Sequence, residues 1–106
     1  MEEYAVGFDF GSLSVRGLLV NVQTGEELCA AVYNYPHGIM SEALPDGTAI
    51  PQTFALQHPL DYLMGIAFCS KKLLRETGIA PEQIIGIGID STASTIMPVD
   101  DAGVPL

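Results

Sequence analysis

Three stretches near the start of the chain alternate apolar with smaller or polar residues, and each predicts a strand. Val6, Phe8 and Phe10 set the period over Tyr4–Asp9. A second run covers Val15–Asn21, interrupted by Arg16 and Gly17, and a third covers Glu27–Tyr35, rich in Val, Ala, Cys and Tyr. The connections are short and turn-like: Gly11 with Ser12 and Ser14, then Gln23-Thr24-Gly25-Glu26. Short turns between successive strands predict an antiparallel meander.

The period changes after His58-Pro59-Leu60-Asp61, where proline in the first turn and an early acid favour a helix start. The spacing predicts a helix over Leu60–Thr77, with Leu63, Ala67, Ser70 and Leu74 on its apolar face and Leu60, Ile66 and Leu73 alongside. Lys71, Lys72 and Arg75 suit the helix end, and Gly78 stops it. Ala80–Gln83 is a connector with a single helical turn. Ile84–Asp90 is apolar almost throughout, which predicts a central strand covered on both faces and parallel to the first strand after a helical crossover. A fifth strand is expected from Ile96 to Val99, followed by a turn at Asp100–Gly103. Pro36–Pro59, with Pro45-Asp46-Gly47 as a clear turn, is expected to form a long loop with one short helical turn. Its Met40, Leu44, Ile50, Phe54 and Leu56 are expected to pack onto something.

Composition narrows the class. At 106 residues the chain is one modest domain, and its formal charge of −9 argues against nucleic acid or an anionic membrane surface as partner. Its cations are Arg16, Lys71, Lys72 and Arg75, so Arg16 stands alone beside the Gly/Ser turn. Cys29 and Cys69 lie in apolar segments without metal spacing and are expected to be buried free thiols. With an acidic start and no long apolar run, a cytoplasmic setting is expected.

Candidate chemistry gathers where the first strand runs out. Gly11 gives a ligand close access to the backbone, Ser12 and Ser14 add hydroxyls, and successive N–H groups in such a turn form an anion-binding hollow. Asp9 offers hard oxygen to Mg²⁺, and Arg16 offers a planar fork to a phosphoryl group. An ordinary hairpin turn capped by Asp and Ser explains the same residues and is the stronger reading of the turn alone. Asp90 ends its strand as Asp9 ends the first, and parallel pairing would set both carboxylates beside one cleft, although a turn cap accounts for Asp90 equally well. The Ser91–Thr95 run reads as a hydroxyl-rich turn. His37 and His58 share no metal spacing; His58 reads as a helix-start residue, and Tyr33, Tyr35 and Tyr62 as core or interface aromatics.

Asp9 to Arg16, D-F-G-S-L-S-V-R, followed by an apolar strand and T-G-E-E, resembles the first phosphate-binding motif of the FGGY carbohydrate kinases. Ala55–Leu63 and Gly86–Asp100 are similar to the branch of that family that acts on L-ribulose. The three stretches span nearly the whole chain in the family's order. The resemblance implies an α/β, ribonuclease H-like core of the kind shared with actin and heat-shock chaperones: three-stranded antiparallel meander, helix, then parallel strands. It implies that residues 1–106 are the opening part of a first kinase domain, with 36–59 an insertion. It implies ATP and Mg²⁺, with Asp9 near the metal, directly or through water, and with Gly11, Ser12, Ser14 and Arg16 facing the phosphates. Ala93, with Ser94 beside it, takes a sugar-side place that is large and charged in some members and small in the ketopentose branch. The partners implied are a ketopentose such as L-ribulose, as in L-arabinose catabolism, and the remainder of a kinase chain. The family's catalytic base lies in a downstream G-D motif, so the 106 residues alone are expected to be inactive and prone to self-association. A xylulokinase-like specificity and a non-catalytic actin-like binding module are the alternatives.

Overall fold

The structure, a computed structural model, describes residues 2–52, 54–92 and 97–105. Strands β1 (Tyr4–Phe10), β2 (Ser14–Asn21) and β3 (Glu27–Asn34) form the expected meander. The first hairpin is closed by the Gly11 N–H, which donates to the Ser14 carbonyl at 2.8 Å. At the second, the Asn21 Oδ1 accepts from the N–H groups of Gln23 and Thr24, at 2.9 and 3.1 Å. Gly25 follows with φ of 75°, a conformation that glycine adopts without a Cβ clash. Two short strands, β4 (Ile39–Met40) and β5 (Leu56–Gln57), pair as a separate ribbon. Helix α1 (Pro59–Thr77) leads through a 3₁₀ turn at Pro81–Gln83 into β6 (Ile84–Ser91), which pairs parallel to β1. The main sheet order is β3-β2-β1-β6, a mixed α/β sheet with the helix on one face.

Both ends of α1 carry the signals read from the sequence. The His58 Nδ1 accepts from the Leu60 N–H at 3.2 Å, and Gly78 takes φ of 69° while its N–H donates to Leu74. The buried face differs from the expectation. Asp61, Gly65, Cys69 and Leu73 point into the protein, whereas Leu63 is 62% exposed and Leu60, Met64 and Phe68 also face outward. The cause is a close approach between helix and sheet. A Cβ on Gly65 would overlap Val15 Cγ1, and one on Gly17 would lie 2.9 Å from the Cys69 Cβ. Small residues therefore occupy the contact line, and Val15, Leu19, Cys69 and Leu73 fill the core around it.

Three further expectations are corrected. β6 is not covered on both faces: Ile85, Ile87 and Ile89 are 57%, 66% and 67% exposed. Helix α1 packs mainly across β2 and β3, and among the described residues β6 stands at the edge of the sheet. The 36–59 segment has no helical turn before α1 among its described residues and is pinned by the β4–β5 ribbon and an Ala43–Ala49 bridge. Of the expected fifth strand, Ile96 lies outside the described residues, and Val99 makes only an isolated bridge to Pro105.

The close approach makes Gly65 a test site. Alanine ordinarily stabilises a helix interior by about 1 kcal/mol over glycine, but overpacking a core costs about 1–3 kcal/mol. With Val15 in the way, Gly65→Ala is expected to lower stability by about 1–3 kcal/mol. Gly88→Ala, whose Cβ would meet nothing within 4 Å, should change it by no more than about 0.5 kcal/mol. Urea unfolding followed by circular dichroism measures both; a Gly65→Ala chain as stable as the parent contradicts the packing described.

Candidate functional site

Alternation along the strands divides the sheet into two faces. Val15, Gly17 and Leu19 of β2 turn toward α1, which sends Arg16 and Leu18 to the opposite side. The register then assembles a charged group on that side. Asp9 pairs with Arg16 across the antiparallel ladder and with Asp90 across the parallel one. All three side chains are exposed around a shallow cleft of about 450 Å³, with Gly7 and Gly88 in its lining. Two carboxylates and a guanidinium at the carboxyl ends of neighbouring parallel strands lie where open α/β sheets receive ligands. The donor set fits a hard cation: carboxylate oxygens suit Mg²⁺, which keeps several waters. Arg16 supplies the opposite charge for a phosphoryl oxygen.

Gly11, Ser12 and Ser14 lie at the end of the same hairpin. Ser12 is exposed, while Gly11 and Ser14 are half-buried. One expectation changes here. The Gly11 N–H is engaged with the Ser14 carbonyl, and Gly11 is not among the glycines with positive φ. Glycine is nonetheless favoured at this position, because a Cβ would lie 3.2 Å from that carbonyl oxygen. Ala93 and Ser94 lie outside the described residues. Just before them, the Thr92 N–H donates to the Phe10 carbonyl at 3.1 Å, joining the ends of β1 and β6 beside the turn.

Sequence reasoning missed the residues that hold this turn from behind. The Gln57 Nε2 donates to the Ser12 carbonyl at 2.9 Å, and the Tyr62 hydroxyl donates to the Gln57 Oε1. Tyr62 also packs edge-on against Phe10 and Tyr35, with ring centroids 5.7 and 5.4 Å apart. Behind them, the buried Asp61 accepts from the His37 backbone N–H at 3.1 Å and lies 2.8 Å from the His37 Nδ1. His37 stacks on His58 at 4.3 Å. No linear spacing announces the Ser12–Gln57 and His37–Asp61 contacts, whose partners are 45 and 24 residues apart in the chain.

The Tyr35 hydroxyl is buried without a hydrogen-bond partner among the described residues. Burial, reinforced by Tyr62, Asp61 and Asp9, pushes its phenol up to about 12. Burial also raises the Tyr62 phenol and the Cys69 thiol.

Comparison with known proteins places relatives beside this geometry. No protein-family model matches the chain. Curated proteins similar to it include ribulokinases. Those of Shouchella clausii and Geobacillus thermodenitrificans are each 41% identical, over 107 and 106 residues. That of Bacillus licheniformis is 46% identical over 95 residues. The chain spans 19% of the length of the first two and 17% of the third. A crystal structure described as a xyloylose kinase from Brucella ovis superposes with a TM-score of 0.72 at 18% identity, covering 97% of this chain and 19% of that one. The fold of this chain is therefore shared with part of a sugar kinase.

The Tyr35 environment sets an alkaline limit on stability. The unfolded phenol ionises near its ordinary value of 10.0, before the folded one at about 12. The fold thus favours the neutral form, and this contribution is intact below pH 10.0 and lost between pH 10.0 and about 12. Tyr35→Phe is expected to keep or raise stability at neutral pH, since it removes an unpaired buried hydroxyl, and to lose less across the alkaline window. Urea midpoints against pH check this; an unchanged alkaline loss in Tyr35→Phe counts against it.

Proposed function

We propose that this chain is the phosphate-handling opening segment of a ribulokinase, an FGGY-type enzyme that transfers the ATP γ-phosphoryl to L-ribulose in the cytoplasm. Similarity to ribulokinases along the whole chain carries this reading, and the Asp9–Arg16–Asp90 cleft supplies chemistry that suits it. The parallel placement of β6 beside β1 is consistent with a ribonuclease H-like core. Residues 1–106 then form part of a first domain that the remainder of a kinase chain completes.

In this reading Asp9 holds Mg²⁺ directly or through water, and the ion neutralises charge on the phosphates when bound. Arg16 balances further phosphoryl charge. The hydroxyls of Ser12 and Ser14 face the phosphates, and Gly11 keeps the turn tight enough to present them. Ala93 and Ser94 line the sugar side, with a small side chain leaving room for a ketopentose. Phosphoryl transfer depends on positioning and charge neutralisation, which is what a rigid hairpin end provides.

A chimera tests the assignment. Residues 1–106 replace the corresponding segment of the Geobacillus thermodenitrificans ribulokinase, and ATP-dependent phosphorylation of L-ribulose is measured. The chimera is expected to be active, and Asp9→Ala within it to lose about 100-fold or more in kcat, the scale of removing one electrostatic contact to a transition state. A folded chimera inert toward L-ribulose, or an Asp9→Ala chimera with full activity, overturns the reading. The 106-residue chain alone is expected to show no turnover and to self-associate in light scattering.

A further inference from the structure

We propose that His37, His58 and Asp61 form a binding site for one first-row divalent transition-metal ion, a site separate from the Asp9–Asp90 cleft. Each residue offers one ligand atom, and the three atoms lie within 4.8 Å of one another. Two pieces of local structure deliver them, the segment after β3 and the start of α1. His37 follows β3, His58 caps α1, and Asp61 lies in the first turn of that helix.

The groups already lie side by side. The imidazoles of His37 and His58 stack with centroids 4.3 Å apart and planes 20° apart. Both Asp61 oxygens are directed at His37, one toward its backbone N–H and one toward its Nδ1. His58 uses Nδ1 to accept from the Leu60 N–H; because a neutral imidazole has a single lone-pair nitrogen, ligation through Nε2 moves the ring proton to Nδ1 and releases that cap bond. The Asp61 side chain is only 5% exposed, and among the described residues its ion-pairing partner is His37. A carboxylate held that far from water is stabilised by a cation.

The donor set selects the ion. Two imidazoles and one carboxylate suit Zn²⁺ and its first-row neighbours, whereas Mg²⁺ and Ca²⁺ take oxygen. Metal–ligand bonds of about 2.0–2.2 Å place neighbouring ligand atoms roughly 3–3.5 Å apart, so one imidazole turns out of the stack to aim its in-plane lone pair at an ion shared with the other. The ion takes the place of the proton between the His37 Nδ1 and Asp61, and the neutral ring carries its proton on Nε2 instead. Three protein ligands leave a fourth position for water. The ion would clip the end of β3 to the start of α1, next to Gln57 and its bond to the Ser12 carbonyl.

Zn²⁺ titrated into the metal-free 106-residue chain, with a chromogenic chelator as competitor, is the test. One equivalent is expected to bind. Because the chain holds 2 histidines, both sets of ring NMR signals should move together and saturate at that equivalent. His37→Gln and His58→Gln should each weaken binding tenfold or more, Cys29→Ser should not, and excess Mg²⁺ should not compete. Absence of a stoichiometric site, ring signals unmoved while Zn²⁺ binds, or histidine variants that bind as tightly as the parent would each overturn the proposal. The ring signals provide a readout on the unsubstituted chain even where a variant fails to fold.

Discussion

Helix α1 lies close against the sheet because Gly65 faces Val15 and Gly17 faces Cys69. Much of the arrangement follows from that contact. It draws Cys69 and Leu73 into full burial over β2 and leaves the larger Leu63, Met64 and Phe68 on the outer face. It seats the helix over β2 and β3, so the isoleucines of β6 gain little cover. It also fixes the N-terminal turn of the helix, where Asp61 meets His37 and Tyr62 meets Gln57. The position of the 36–59 segment, and through Gln57 the rear of the Gly/Ser turn, depends on how closely two backbones approach.

Chemistry and stability occupy opposite faces of the same strands. On β2, Val15 and Leu19 are fully buried toward the helix, while Arg16 between them points to the cleft. On β1, Val6 and Phe8 are buried in the core, while Asp9 is exposed opposite Arg16. The period of a strand makes this division automatic. A charged residue can sit one position from a core residue without burying its charge.

The three strands of the meander were legible because alternation is a local signal, and the helix because its caps are local too: His58 and Gly78 stand within a residue of its ends. The buried face of α1 was not legible. Gly65 and Asp61 carry no apolar signal, and Leu63 carries a strong one, yet the sheet beneath decides which of them is covered. The same holds for β6, since an apolar run reports that a strand tolerates cover and not what lies over it. Asp9, Arg16 and Asp90 could be named from the sequence, and the strand register shows why they meet. The His37–His58–Asp61 group could not, because it joins a strand end to a helix start that linear spacing leaves unrelated.

The parallel pairing of β1 with β6 also has a consequence for the order in which the chain assembles. β1 finds β2 through a hairpin, and β2 finds β3 through another, so those contacts form between residues that leave the ribosome close together. The other edge of β1 must wait until α1 and the 3₁₀ turn have been made, since Tyr4 meets Ile84. At synthesis rates of about 5–20 residues per second, that interval lasts several seconds. Throughout it, Asp9 has Arg16 opposite it but not yet Asp90. Among the described strands of the sheet, the cleft is therefore completed after the meander, by the strand with the least burial to hold it.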